Sequence, residues 1–417
     1  MKLILIKIGK AFKTLQRDGF IRGSRRVLKA FFAMFGRVKS GDILFITGGV
    51  GDSALFRTRH YSEELELKGF KCSVTVQDNP FLSSYADKFK IFIFHRVLFT
   101  PGVKKLIEKI KAQNKEIIFE TDDLVFDPKY LEFMDYFKQM NAFEKKLYEN
   151  GVGGEILKDS YVKVCTTTTN FLADKLWEYN KKIFIIPNKL SKSDVEICEK
   201  IINQKKCHSE RSEESQINST GGENQGSFVP LSETQDDNIV KLGYFSGTIS
   251  HNKDFATITD ALLKIMEKYP QVELFLAGPL DVESKLNKFK DRIKQIPYVP
   301  RNKHFENISK VDINLAALEI GNPFCEAKSE LKFFEAGILE VPTVASATQV
   351  FKEAISDGID GFVASDTEEW KNKLERLILS PQLRSTMGLK ARQKALEQYS
   401  TQTAKNEEYY AYLRFRL

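Results

Sequence analysis

Two lysines and a glutamate, Lys328, Lys332 and Glu335, stand at i, i+4 and i+7 in the segment NPFCEAKSELKFFEAGILEVPTVAS (322–346). The segment reads as loop, helix, tight turn and strand, with Ser329 as N-cap, so one helical stripe carries two cations and then a carboxylate. Free N–H groups at the start of that helix suit a diphosphate, the lysines add charge, and Glu335 can accept two hydrogen bonds from a ribose diol. That is a nucleotide-sugar site in outline. The same spacing also suits a solvated face whose Lys–Glu pairs only support the helix.

A second constellation opens the latter half of the chain, LGYFSGTISHNKDF (242–255). A strand runs into Gly247, which lets backbone approach phosphates, and a polar loop with His251 and Lys253 leads to a helix from Asp254. The first half holds the loop TGGVGDSA (47–54), with Gly48 and Gly49, followed by Arg57 and Arg59 on the next helix. His95 and Arg96 end one strand, and Glu120, Asp122 and Asp123 end another. Carboxyl ends of parallel strands are where such sheets hold ligands. Asp122 and Asp123 are read as polar contacts to the acceptor or the reacting sugar. Their spacing is not D-x-D and also suits a turn, so no metal is expected. Gly49, Gly51 and Ala54 form G-x-G-x-x-A, with Asp78 after the next strand. That pattern supports a rival, an NAD-dependent nucleotide-sugar oxidoreductase or epimerase. No Ser–His–Asp order, P-loop or zinc spacing stands out, so a hydrolase is not supported.

KSELKFFEAGILEVPTVAS resembles the donor-binding helix and strand of retaining GT-B glycosyltransferases of family 4, the group 1 glycosyl transferases. Glu335-Ala336-Gly337 matches the glutamate that contacts the donor ribose. That family usually carries another glutamate eight residues earlier, where this chain has Ala327, with Glu326 beside it and Glu330 inside the helix. The resemblance is nearer to a subgroup reading N-x-F-x-x-x-K-S-x-L-K-x-x-E, which fits from Asn322. It implies that Lys253, or secondly His251, supplies a cation to the diphosphate. Lys253, Lys328 and Lys332 would then stabilise the leaving nucleoside diphosphate. It also implies that Gly48, Gly49, Arg57, Arg59, His95 and Arg96 face a cleft on the acceptor side. The expected reaction is transfer from a UDP- or GDP-linked sugar to a glycan or lipid-linked acceptor, in cell-surface polysaccharide synthesis. Retention, no essential metal, no further cofactor and no nucleic-acid partner are implied with it. A non-catalytic sugar-binding scaffold of the same fold is the other rival, since Ala327 departs from the pattern.

Elements that could position these residues follow the α/β rhythm. Short β-branched runs at 43–47, 71–76, 91–95, 116–120, 162–166 and 183–187 alternate with amphipathic stretches, which implies a buried parallel sheet. The rhythm restarts with strands at 242–246, 272–278, 296–300, 313–318, 342–346 and 361–364. The expected fold class is therefore α/β, two Rossmann-like parallel-sheet domains across a cleft. Its parts are a basic helical region at 1–40, an acceptor domain at 41–190, a donor domain at 239–385 and closing helices at 386–417 that cross back. Residues 203–238 are rich in Ser, Glu, Gln and Asn and are expected to be a disordered insertion.

At 417 residues, 42% hydrophobic and 29% charged, the chain is globular and long enough for two cores. Five scattered cysteines suit a reducing compartment. No apolar run is long enough to span a bilayer, and MKLILIKIGK lacks a cleavage site, so a cytoplasmic location is expected. Net charge is +7, and residues 1–40 hold eleven cations against Asp18, interleaved with Ile6, Phe12, Leu15, Phe20, Leu28, Phe31 and Phe32. An anionic membrane surface is the partner expected for that end, with the protein peripheral on the inner face.

Overall fold

The computed structural model describes residues 20–134, 137, 140–146, 148–218, 239–247, 252–282 and 284–417. Twelve strands form two parallel six-stranded sheets. In the first, the order is β2-β1-β3-β4-β5-β6, with β1 Ile43–Thr47, β2 Cys72–Val76, β3 Ile91–His95, β4 Glu116–Thr121, β5 Val164–Thr167 and β6 Lys182–Ile185. In the second it is β12-β11-β10-β7-β8-β9. These are β7 Val240–Phe245, β8 Val272–Ala277, β9 Ile293–Ile296, β10 Ile313–Ala316, β11 Thr343–Ser346 and β12 Phe362–Ala364. Central strands such as ILFIT and IFIFH are buried along their whole length, because helices cover both faces. Every expected strand is present, and one is displaced. The run expected at 296–300 pairs at Ile293–Ile296 instead, since Pro297 and Pro300 have no N–H for the ladder.

Each sheet reverses its order beside its first strand, β1 against β3 and β7 against β10, and the two crevices face each other. Close backbone approach shapes each crevice. A Cβ on Gly48 would lie 2.0 Å from the Arg96 carbonyl oxygen, and one on Gly278, at φ +96°, would lie 1.9 Å from that of Ser246.

Residues 203–218 depart from expectation. They continue the helix Lys192–Asn218, whose first turns bury Cys198, Ile201 and Ile202 in the second domain's core. Once those turns are docked, each further residue adds a hydrogen bond without a new nucleation cost. Residues 219–238 lie outside the described residues. The closing segment also divides differently. Helix Pro381–Gln398 stays on the second domain, where Ala391 and Ala395 join its core. The chain crosses back only at Tyr399–Thr401, whose backbone brackets Leu190, and helix Glu407–Phe415 then buries Tyr409, Tyr410 and Leu413 against β1 and its neighbours.

Candidate functional site

A cavity of about 340 Å³ lies between the two crevices. From the second domain come Gly247, Lys328, Ser329, Lys332 and Glu335, and from the first Arg96, Asp122 and Asp123. Residues more than 200 positions apart in the chain therefore share one wall. A second cavity of about 270 Å³ lies within the first domain, lined by Gly48, Gly49, Ser53, His95 and Arg96 among others. Arg96 lines both.

On the first-domain side, Arg96 adopts φ +48°, a left-handed conformation that costs a non-glycine residue about 1–3 kcal/mol. Its guanidinium is anchored by two carboxylates. Nη2 donates to Asp123 Oδ2 at 2.9 Å, and Nε lies 2.6 Å from Asp122 Oδ1 as an ion pair without an aligned hydrogen bond. Ser53 Oγ donates to Asp122 Oδ2 at 2.7 Å and lies 3.1 Å from His95 Nε2, which is 3.3 Å from Asp122 Oδ1. Burial alone would raise the Asp122 carboxyl. Arg96, with His95 and Ser53, outweighs burial and holds it well below the usual carboxylate range. This is not a nucleophilic triad. Serine and aspartate approach the same imidazole nitrogen, while Nδ1 meets Thr47 Oγ1 at 3.1 Å.

On the second-domain side, the helix runs Leu331–Gly337 with Glu330 as N-cap, not Ser329. Ser329 Oγ is engaged elsewhere, accepting from Asn188 Nδ2 at 2.8 Å. Lys328 Nζ donates to Asp254 Oδ2 at 2.8 Å. Lys332 Nζ is shut from solvent without a hydrogen-bond partner, 4.0 Å from the centre of the Tyr244 ring. Burial, aided by Lys328 and opposed by Asp254, lowers its pKa to about 7. Glu335 accepts from Arg301 Nη1 at 2.8 Å and faces His304 Nε2 at 3.3 Å. Burial opposes ionisation there, but Arg301 and His304 prevail and hold the carboxyl at about 2.

Four expected positions differ. Arg57 is no surface contact. It is buried, donating to Glu120 Oε1 at 2.8 Å and to the Ile186 carbonyl at 2.6 Å, and so braces the floor beneath the cleft. Glu120, which also accepts from Thr166, is part of the same brace and is fully buried. Arg59 is exposed and lines neither cavity. Lys253 is exposed on helix Asn252–Ala256 and is not in the cavity lining, since that helix turns its Asp254 and Phe255 inward. His251 lies outside the described residues. Sequence reasoning missed Arg301, His304, Ser53 and Tyr298. Tyr298 lies in the run 296–300 that reads as a strand, and Arg301 opens the helix that follows Pro300, so only the turn at Pro300 brings both to the cleft.

Among the described residues, no group of three or more His, Cys, Asp or Glu is placed to hold a metal, and no helix is long and apolar enough to cross a membrane.

Residues 259–406 match the family model described as Glycosyl transferase-like. No curated protein matches the chain in sequence. Solved structures share the fold at low identity. The Anabaena protein HepE, solved with UDP, is 13% identical with a TM-score of 0.57, covering 90% of this chain and all of its own. A sucrose-phosphate synthase from Thermosynechococcus elongatus is 12% identical, TM-score 0.51, over 90% of this chain and 98% of its own. A glycosyltransferase from Rickettsia africae is 15% identical, TM-score 0.51, over 90% and 99%. With residues 259–406 matched to that model and the two-sheet architecture of these structures throughout, the chain has the GT-B fold and its second domain is glycosyl transferase-like.

Proposed function

We propose that the interdomain cavity binds a UDP-linked sugar and that the first-domain cavity receives a glycan or lipid-linked hydroxyl acceptor. One observation carries the reading: Lys328, Lys332 and Glu335 meet Arg96, Asp122 and Asp123 around a single space. The lysines suit the diphosphate and Glu335 the ribose diol. Ser53, His95 and Asp122 stand where the two cavities adjoin and suit an acceptor hydroxyl. HepE, of the same fold, was solved with UDP and with UDP-glucose. In the transfer, the bond from the anomeric carbon to the diphosphate breaks, and a bond to the acceptor oxygen forms with retention. The two lysines stabilise charge on the departing diphosphate, so the protein needs neither a strong nucleophile nor an essential metal. Cell-surface polysaccharide synthesis is the setting this chemistry suits.

A thermal-shift panel of UDP-, GDP-, ADP- and dTDP-sugars, followed by an assay for released nucleoside diphosphate, tests the proposal. UDP-sugars should raise the melting temperature and release UDP when acceptor is added. A shift with NAD and none with any nucleotide sugar would sink it. Donor binding with no release under any acceptor would favour the scaffold reading.

The enzyme works at an anionic membrane surface. Helix Phe20–Phe35 exposes Leu28, Phe31, Phe32 and Phe35 at i, i+3, i+4 and i+7, one apolar stripe within the cation-rich first 40 residues. Residues 1–19, including Ile6, Phe12 and Leu15, lie outside the described residues. Each Lys or Arg near such a surface contributes about 1 kcal/mol, so several together give reversible docking. Sedimentation with phosphatidylserine vesicles should carry the protein down and salt should release it. Equal binding to neutral vesicles, or none to either, refutes docking.

A further inference from the structure

We infer that Arg301 is a positioning residue of the donor site: it fixes the Glu335 carboxylate for the ribose hydroxyls and ties it to the segment that joins the two domains. The inference rests on the reading of Glu335 as the ribose acceptor. One planar guanidinium makes every connection. Nη1 donates to Glu335 Oε1 at 2.8 Å, while Nε and Nη2 donate to Asp194 Oδ1 and Oδ2 at 2.6 and 3.0 Å. Its plane lies against Phe305 of its own helix, Arg301–Ile308, and against Phe56 of the first domain, 4.8 and 4.7 Å from the ring centres.

Asp194 marks the joint. Its carboxylate accepts from the Ser191 backbone N–H, its own N–H donates to Ser191 Oγ, and so the chain leaving the first domain is locked into the start of helix Lys192–Asn218. His60 Nε2 of the first domain stands 3.6 Å from Asp194, and His60 Nδ1 contacts the Lys189 carbonyl at 2.8 Å. Arg301 therefore touches one of the two places where the chain passes between the domains, the other being Tyr399–Thr401. A carboxylate offers about four lone-pair positions. With one oxygen held by Arg301 and the other facing His304, Glu335 keeps capacity for a diol on its cavity side. The charged groups facing Glu335 are Arg301, His304 and Lys332, with Asp194 behind Arg301 and His60 behind Asp194. A lysine at 301 would supply charge without the fork, so it could not hold both carboxylates at once.

Calorimetric titration with UDP from pH 5 to 8, on the full-length protein, tests the inference. Wild-type affinity should show no loss toward pH 5. Arg301→Met should weaken UDP binding about tenfold to a hundredfold at pH 7. It should weaken further as pH falls, because a buried Glu335 without its cation takes up a proton. Arg301→Lys, the milder change, should restore the flat acid limb. In the transferase assay it should still show a raised donor KM with kcat near wild type. Wild-type affinity and an unchanged pH profile in both variants would overturn the inference. Glu335→Gln separates the two claims. If it binds UDP like wild type, the ribose reading of Glu335 fails. If it binds weakly while both Arg301 variants bind normally, only the positioning role fails.

Discussion

At the residue scale the site is built from ionisable groups moved off their ordinary values by burial and by one another. Lys332 is the sharpest case, with a pKa lowered to about 7 and no hydrogen-bond partner at Nζ. A bound diphosphate would favour the charged ammonium, so donor binding should take up a proton and UDP affinity should fall as pH rises above 7. Titrations at pH 6.5 and 8.5 in wild type and Lys332→Met check this. The loss should disappear in the variant, and a loss of equal size there would remove Lys332 from the site. Glu330 shifts the opposite way, raised to about 7 by burial, with Oε2 lacking a partner. Its folded-state pKa exceeds the unfolded one, so its contribution to stability is present below about 4.5 and is lost as pH rises to 7. Glu330→Gln should therefore stabilise the protein by up to about 3 kcal/mol at pH 8 and leave it unchanged at pH 4. Denaturant midpoints at the two pH values measure it. A variant less stable at pH 8 would contradict the argument.

At the element scale, the ends of strands and the turns after them determine where each side chain points. Helix Leu331–Gly337 is only two turns long, yet it places Lys332 and Glu335 on the cavity, because its far side, with Phe333 and Phe334, is buried in the second domain's core. The opposite wall depends on Gly278. It follows β8 at φ +96°, with no room for a Cβ beside Ser246. Gly278→Ala would strain the backbone and push β7 and β8 apart where Ser246, Gly247 and Gly278 line the cavity. The expected result is a loss of about 2 kcal/mol or more in stability, together with weaker UDP binding. An unchanged denaturation midpoint would show that the loop relaxes without cost.

At the scale of the whole molecule, a few contacts and two adjoining chain passages, at Leu190 and at Tyr399–Thr401, hold the two sheets face to face. Asn188 bonds Ser329, Asn170 bonds Glu353, and Tyr298 reaches Asp52 across the cleft mouth at 3.1 Å. The last helix gives the first domain part of its core from the far end of the chain. Leu413 is fully buried there, and Tyr410 Oη donates to Glu64 at 2.6 Å. Leu413→Ala should cost about 2–5 kcal/mol through the cavity it leaves. Because Leu413 lies far from the donor residues, UDP affinity at low temperature should stay near wild type. Chemical denaturation combined with UDP titration separates the two effects, and a proportionate loss of both would mean that the donor site depends on the first domain's core.

The α/β class, the twelve strands and the restart at the second domain were legible in the sequence, because buried parallel strands need short apolar runs and such runs are local. Lys332 and Glu335 were legible for the same reason, since helical spacing puts residues three apart on one face, whereas Lys328 precedes the helix and reaches the cavity from the turn before it. Local pattern misled where distant partners intervened. Arg57 reads as a cation beside a glycine-rich loop, but Glu120 and the Ile186 carbonyl draw it into the interior. Residues 203–218 have a disordered composition, yet they extend a helix already docked through Cys198, Ile201 and Ile202. Arg301 carries no motif at all. Its importance comes from Asp194 and Glu335, 107 residues before it and 34 after it, meeting one guanidinium. Spacing along the chain determined which residues share a face of an element, while only the packing of two domains determined which faces meet, because that depends on contacts between residues far apart in sequence.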